Sequence, residues 1–371
     1  MTHNDSVCLR CCQALKLLFC MVFVLLATSC GLGYVLSSSY HQMELLRSKV
    51  PIKDARASGK LTASQIRALD VIADVRAFGA EIGLSATDNY TEIALEWDRT
   101  IWNVSGCQPD RFEPKTWWFP IVGRVPYLGF FSEEKVREKA EEIKADGMDV
   151  YVRQVAAYST LGWFEDPILI PMLDWGEFDL ACLVLHELTH ATLWLPSDVG
   201  FNESFANFVG DVAAARYMAA RHGVGSEAYR ETLSRRADQK IWRSVRHDLY
   251  TDLEDFYTNE GLTIEERLVG KAAIFATLAE RVKQAGFNRP EGYLRSAVEG
   301  TWNNARMIQF RAYNQDEVLF ADVLNVMGGD IVALIFRVGE LVDGAEDPRQ
   351  VLRDFTGASL SSPGSSVDDQ K

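Results

Sequence analysis

Residues 186–190 read His-Glu-Leu-Thr-His, within the longer stretch Glu177-Phe178-Asp179-Leu180-Ala181-Cys182-Leu183-Val184-Leu185-His186-Glu187-Leu188-Thr189-His190, and the reading of this window decides the fold. Two histidines four positions apart in a helix stand about one turn from each other on one face, so both imidazoles can reach one ion. Glu187 follows the first histidine and lies beside that ion, placed to take a proton from water. The chain holds only six histidines in 371 residues, which makes this pairing informative. The bland alternative is a core helix with two incidental histidines.

Local signals support a helix here. Asp174 and Glu177 have capping-box spacing, with Asp in place of Ser or Thr, and Pro196 stops the pattern. Phe178, Ala181, Cys182, Leu185, Leu188, Thr189 and Leu193 are apolar or small, so the helix is mostly buried and its imidazoles need a partner. Cys182 lies one turn behind the pair and reads as a packed thiol rather than a ligand.

A third ligand is expected from the next helix. Phe201-Asn202-Glu203-Ser204-Phe205-Ala206-Asn207 follows the short connection Leu195–Gly200 and opens a helical run to about Arg221. Glu203 comes late enough after His190 for the chain to fold back. A His186, His190, Glu203 set leaves the fourth tetrahedral position to water, as in a catalytic rather than a structural zinc site. The competing reading of Glu203 is a solvated carboxylate favoured by the helix dipole. The pattern Asn-Glu-x-x-x-Asn resembles the second metal helix of gluzincins, whose last position, usually Asp, orients a ligand histidine. Asn207 stands there, able to accept the hydrogen bond without charge.

Composition fits a globular body: 47% hydrophobic and 24% charged residues, with a net charge of −14. That balance argues against a nucleic-acid partner. At the N-terminus, Arg10 and Lys16 precede the apolar run Leu17–Ala27, a targeting signature. Leu26-Ala27-Thr28-Ser29-Cys30-Gly31 resembles a bacterial lipobox, which makes Cys30 a candidate for lipidation. The rival reading is an uncleaved membrane anchor over Leu17–Leu36. Both place the body on the extracytoplasmic face of a bacterial cell envelope. Cys8, Cys11, Cys12, Cys20 and Cys30 all lie in this segment; Cys107 and Cys182 alone remain, too few for a disulfide framework or a cysteine metal site.

Three parts are expected: a signal peptide or membrane anchor (1–29), a body (30–355) and a Ser-, Gly- and Asp-rich disordered tail (356–371). The body reads as mainly α with a smaller β region (α+β), zincin-like, with the HExxH helix packed on a second ligand-bearing helix. Residues 40–58 look helical. Thr62-Ala63-Ser64-Gln65 is a capping box opening a helix to about Ile82, with a buried stripe of Ile66, Leu69, Ile72, Val75 and Phe78. Short strands and turns are expected over 89–129, a surface helix over 133–145, and a strand over 148–155. The segments 226–256, 263–285, 289–299 and 315–342 read as mainly helical, and no internal repeat is apparent. Residues 157–167 read as a loop or edge strand. Thr160, Leu161 and Gly162 are candidates for main-chain pairing with an extended peptide; a buried aromatic loop is the alternative.

From Cys30-Gly31-Leu32-Gly33-Tyr34 to about residue 345, the chain resembles the bacterial family of predicted zinc aminopeptidases. The resemblance is carried by Glu113-Pro114-Lys115-Thr116-Trp117, Ala157–Phe164, His186–His190, Phe201–Ala206 and Asn303-Asn304-Ala305-Arg306. It implies a peptidase with one Zn2+ per chain, held by His186, His190 and Glu203, with Glu187 as catalytic base and a peptide as substrate. Family members commonly have cysteines where Trp118 and Arg124 stand here, which implies loss of one disulfide. Many relatives have Glu where this chain has Gly210, followed by Asp211. The oxyanion of such a reaction needs a further donor, for which the candidates are Tyr313, Arg306 and Tyr158; His222 and His247 are weaker ones. An aminopeptidase also needs a carboxylate for the substrate ammonium, from Glu165, Asp166 or Asp211. Two other functions compete: a zinc endopeptidase or other amide hydrolase, and a non-enzymatic envelope lipoprotein.

Overall fold

A computed structural model describes residues 31–97, 99–119, 123–155, 166–196, 198–314 and 316–360; the side chains of 31–33, 35, 36, 39, 312–314 and 358–360 lie outside it. Outside it too fall Cys30, Tyr158, Thr160, Leu161, Gly162 and Glu165, all singled out above, and the whole of 1–29. The chain divides into two compact units, Met1–Lys49 and Val50–Lys371. In the first, the described part is chiefly one helix, α1 (Gly31–Arg47). The helical expectation over 40–58 is corrected here: extended β1 (Lys49–Pro51) separates α1 from α2 (Ile52–Ala57). Pro51 has no N–H to give a continuous helix.

The second unit is mainly helical with small sheets, an α+β fold. Helix α3 (Ala63–Glu81) starts on the expected box: the Thr62 hydroxyl accepts from Gln65 N, and Thr62 N donates to Gln65 Oε1. It buries Ala68, Leu69, Ile72, Val75 and Gly79; Ile66 and Phe78 are only half-buried. Strand β2 (Glu92–Ala94) follows, then β3 (Ile101–Cys107), the hairpin β4 (Trp117–Phe119) and β5 (Gly123–Val125), and β6 (Leu128–Phe130). In the hairpin, Trp118 and Arg124 stand directly opposite each other. Helix α4 (Glu133–Ala145) packs on β3 and on β7 (Asp149–Val155), and β3 runs antiparallel between β6 and β7. Short β8 (Ile168–Leu169) pairs parallel with β2 and leads through a 3-10 turn, Ile170–Asp174, into helix α5 (Glu177–Thr192).

The capping box expected at Asp174 and Glu177 does not form. Gly176 is the N-cap of α5 and offers no side chain, while Asp174 ends the 3-10 turn and accepts from Gln65 Nε2 at 3.3 Å. The helix ends at Thr192, ahead of Pro196. Helix α6 (Val199–His222) turns back and packs along α5, and α3 covers the other side of α5. Beyond it run α7 (Glu227–Tyr257), α8 (Ile264–Ala276), α9 (Leu278–Gln284), α10 (Glu291–Glu299), α11 (Asn304–Asn314), α12 (Glu317–Val326), α13 (Ile331–Val342) and α14 (Pro348–Leu360). The run expected over 315–342 is two helices, because Gly328 and Gly329 both take positive φ, +65° and +79°. Helix α14 continues past Thr356, whose side chain is buried, so the disordered tail does not begin there. Among the described residues no single helix is long and apolar enough to cross a membrane.

Two apolar regions hold the unit together. Phe201 and Phe205 of α6 meet Phe320 of α12 with ring centroids 5.3 and 5.0 Å apart, which fixes α6 from behind. A second cluster lies among α7, α9 and α11, around Leu249, Leu253, Leu278, Val282 and Met307.

Candidate metal centre

The turn between α5 and α6 is locked by its own sequence. Asn202 is buried and its amide grips Leu195 twice: Oδ1 accepts from Leu195 N and Nδ2 donates to Leu195 O, both at 2.8 Å. Asp198 caps α6 by accepting from Phe201 N at 2.9 Å. Arg349 of α14 binds that carboxylate and Asp316 together. Glu203 comes one residue after the Asn202 clamp, so its place relative to α5 is set by the turn. The Asn202 clamp was invisible in the sequence, since an Asn at that position has no partner until the turn exists.

Along the two helices the backbones meet at Gly210. A Cβ there would fall 2.8 Å from Cys182 O and 3.3 Å from His186 N, so a side chain at this position has no room unless the helices part. Asp211, next in sequence, is taken by Arg236 of α7 at 2.9 Å. His222 at the end of α6 ties to Glu177 at the start of α5, with 2.9 Å between Nε2 and Oε2.

This close crossing brings His186, His190 and Glu203 together. His186 Nε2 and His190 Nε2 are 3.0 Å apart, and Glu203 Oε2 lies 3.4 Å from the first and 3.7 Å from the second. Donors about 2.0–2.1 Å from a tetrahedral zinc stand about 3.3–3.4 Å from one another, so these three already outline one face of such a site. Among the described residues they are the one group of three or more His, Cys, Asp or Glu able to hold a metal ion. Cys182 is a free thiol outside the group.

The electrostatics favour a cation. Burial works to raise the Glu203 carboxyl, but hydrogen bonds from His186 and His190 outweigh it and hold it far below the ordinary carboxylate range. Burial pulls His186 down, yet Glu203, Glu187 and a hydrogen bond to Asn207 together hold it above its ordinary value. His190 Nδ1 is buried with no hydrogen-bond partner, and the ring packs edge-on to Trp194 at 5.5 Å. Glu187 is buried to 8% exposure, with no ion pair or side-chain hydrogen bond among the described residues.

Sequence reasoning missed Tyr90. It has φ +62°, is 2% exposed, and its hydroxyl has no hydrogen-bond partner. Burial, then the charges of Glu187 and Asp166, push its phenol well above the ordinary value. Asp166 is buried; its N–H donates to Asn89 Oδ1, and its carbonyl accepts from Tyr90 N, both at 2.9 Å.

The remaining candidates lie elsewhere. Arg306 engages Trp302, Tyr151, Thr301 and Ser296, none of them in the metal group. His247 is exposed on α7, and the side chain of Tyr313 lies outside the described residues.

Comparison with curated proteins and with solved structures gives no match. Residues 33–352 match the model of a family described as "Putative aminopeptidase", and that match spans most of the chain from α1 to α14. With its metal group on two adjoining helices inside the matched region, the chain belongs to this putative aminopeptidase family.

Proposed function

We propose that the protein is a zinc-dependent peptidase that removes residues from the N-terminal end of peptides. The observation that carries this reading is the convergence of His186, His190 and Glu203, with buried Glu187 next to His186 in the chain and without an ion pair among the described residues. Family membership supports peptidase chemistry independently of the geometry. His186, His190 and Glu203 would hold the zinc, which would supply Lewis acidity for the bound water and the scissile carbonyl.

The chain's own residues do the rest. Glu187 takes the proton from the attacking water and delivers it to the leaving amine. Asn207 holds the His186 ring in one orientation. A carboxylate for the substrate ammonium would come from Glu165 or Asp166, because Asp211 is bound by Arg236. The sequence alone proposes Thr160, Leu161 and Gly162 for main-chain pairing with the peptide. It also proposes anchoring of the body outside the cytoplasm through lipidated Cys30 or an uncleaved anchor over Leu17–Leu36. The mass of the mature N-terminus tests that last point: neither lipidated Cys30 nor an intact Met1 would refute both forms of anchoring.

The decisive experiment is metal analysis of the full chain with assays on an aminoacyl chromogenic substrate and an N-blocked peptide. The expected result is one zinc per chain and hydrolysis of the aminoacyl substrate, abolished by a chelator and restored by zinc. Hydrolysis of the blocked peptide alone turns the reading to an endopeptidase. Metal-independent hydrolysis, or none of either substrate, overturns it.

A further inference from the structure

The Asn303-Asn304-Ala305-Arg306 stretch has no part in the metal centre. Asn303 and Asn304 are accounted for by the fold. Asn303 Nδ2 donates to Val150 O, Asn304 N to Asp149 Oδ2 and Asn304 Nδ2 to Gln108 O, tying α11 to the strands. Arg306 is different. Its guanidinium carbon lies 3.7 Å from the Trp302 ring centroid and 5.4 Å from that of Tyr151. Among the described residues it donates to neutral oxygens alone, Thr301 O and Ser296 Oγ, each at 3.2 Å. Gly300 makes room for it, since a Cβ there would fall 2.6 Å from Arg306 Nη1.

Arg246 of α7 stands on the adjoining aromatic wall. Its guanidinium carbon is 4.2 Å from the Phe310 ring centroid and 5.0 Å from that of Trp242, and its Nε donates to Trp242 O at 3.3 Å. Trp242 and Trp302 meet edge to face at 5.7 Å, so the two cations sit on neighbouring rings. Neither arginine forms an ion pair with a described carboxylate. Other arginines of α7 do: Arg235 with Asp179, Arg236 with Asp211 and Arg243 with Glu317.

Aromatic faces attract a guanidinium without neutralising it, and two partly buried like charges repel. Burial, then Arg306 and Arg243, pull Arg246 down to about 9; burial also lowers Arg306. An anion at this place would relieve both effects. Each guanidinium presents a planar fork of donors that matches two oxygens of one group. Neither residue is fully buried, and Arg306 is the less enclosed of the two.

We propose that Arg246 and Arg306, walled by Tyr151, Trp242, Trp302 and Phe310, form a binding site for a small oxyanion, a phosphate or a carboxylate. The site is independent of the metal centre and of the peptidase reading.

Thermal unfolding of the full chain in inorganic phosphate, acetate or chloride at one ionic strength tests it. At ten times its dissociation constant a bound oxyanion raises the midpoint by about 2 °C over chloride. The salt that does so, phosphate or acetate, identifies the ligand. R246Q and R306Q each lose that increment. Equal midpoints in all three salts, or the increment retained in either variant, overturn the proposal. A second measurement needs no variant: modification by phenylglyoxal, mapped by mass spectrometry. The same oxyanion slows reaction at Arg246 and Arg306 about tenfold and leaves Arg137, exposed and paired only with Glu133, unchanged. Absent or uniform slowing overturns it as well.

Discussion

The α5–α6 pair and the α7–α11 wall carry opposite errors of charge balance. Between α5 and α6, Glu187 and Glu203 are buried to 8% and 6% exposure, and the nearest cationic groups are two imidazoles. On the other wall, Arg246 and Arg306 lie on aromatic rings with no ion pair to a described carboxylate. Elsewhere the same helices close their charges neatly, as in Arg236 with Asp211 or Arg349 with Asp198 and Asp316. Burying an uncompensated charge is costly. Among the described residues most charges on these helices are paired with an opposite one, and the two exceptions, the carboxylates with only imidazoles beside them and the arginines with only rings, are the ground for the cation and the oxyanion proposed above.

The largest effect should come from the base. Glu187→Gln keeps shape and burial and removes one negative charge. Turnover is expected to fall about 10²–10⁴-fold, with zinc still bound and the thermal midpoint unchanged or higher. A midpoint that drops with activity would mean that the carboxylate is structural, and the comparison would lose its negative member. Gly210→Ala attacks the same centre through the backbone. With a Cβ 2.8 Å from Cys182 O, the helices must part, and a loss of about 1–3 kcal/mol in stability is expected from such overpacking. Zinc affinity should weaken alongside, because the donors sit on both helices. Unchanged denaturant midpoint and zinc affinity would show that the crossing has slack.

Much of the metal centre was legible because its signals are local. Two histidines one turn apart, a glutamate between them and Glu203 after a short turn are all set by helix period and chain length. Thr62 and Gln65 formed their box for the same reason. Asp174 and Glu177 had equal spacing and failed, since Pro171 and the 3-10 turn end the preceding segment and Gln65, distant in sequence, claims Asp174. The 315–342 stretch is mainly helical as expected, and the break within it falls at the two adjacent glycines Gly328 and Gly329. Arg246 shows the limit most plainly: a sequence displays the cation, whereas the missing acid is a property of everything packed around it. Tyr90 is alike, because nothing local to a tyrosine announces a positive φ.

A smaller effect tests a charge cluster that the fold does close. Asp198 has its carboxyl raised by burial but lowered more by Arg349 and the Phe201 N–H, so it lies below its ordinary value. The folded state therefore prefers the charged form. Its stabilisation is whole above the unfolded value, near about 4, and drains as the pH falls through the folded one. Asp198→Asn should cost about 0.5–2 kcal/mol at neutral pH through the weakened cap and lost ion pair. Its stability should then decline less steeply than the parent's below about pH 4. Parallel acid curves for the two proteins would rule out Asp198 as a contributor.

The smallest expected effect concerns Tyr90, which carries two local penalties at once. Its backbone is left-handed, where a non-glycine residue loses about 1–2 kcal/mol, and its buried hydroxyl donates to nothing. Tyr90→Phe keeps the ring and the backbone and deletes only the hydroxyl. Because no protein hydrogen bond is lost, the denaturant midpoint should stay level or rise by the equivalent of about 1 kcal/mol. A fall of that size would mean that the hydroxyl is satisfied by an ordered water, and that the surroundings of Tyr90 are wetter than its burial suggests. A level midpoint with slower turnover would instead show that the phenol serves the chemistry at Glu187, which would explain why the chain keeps a residue that its own fold strains.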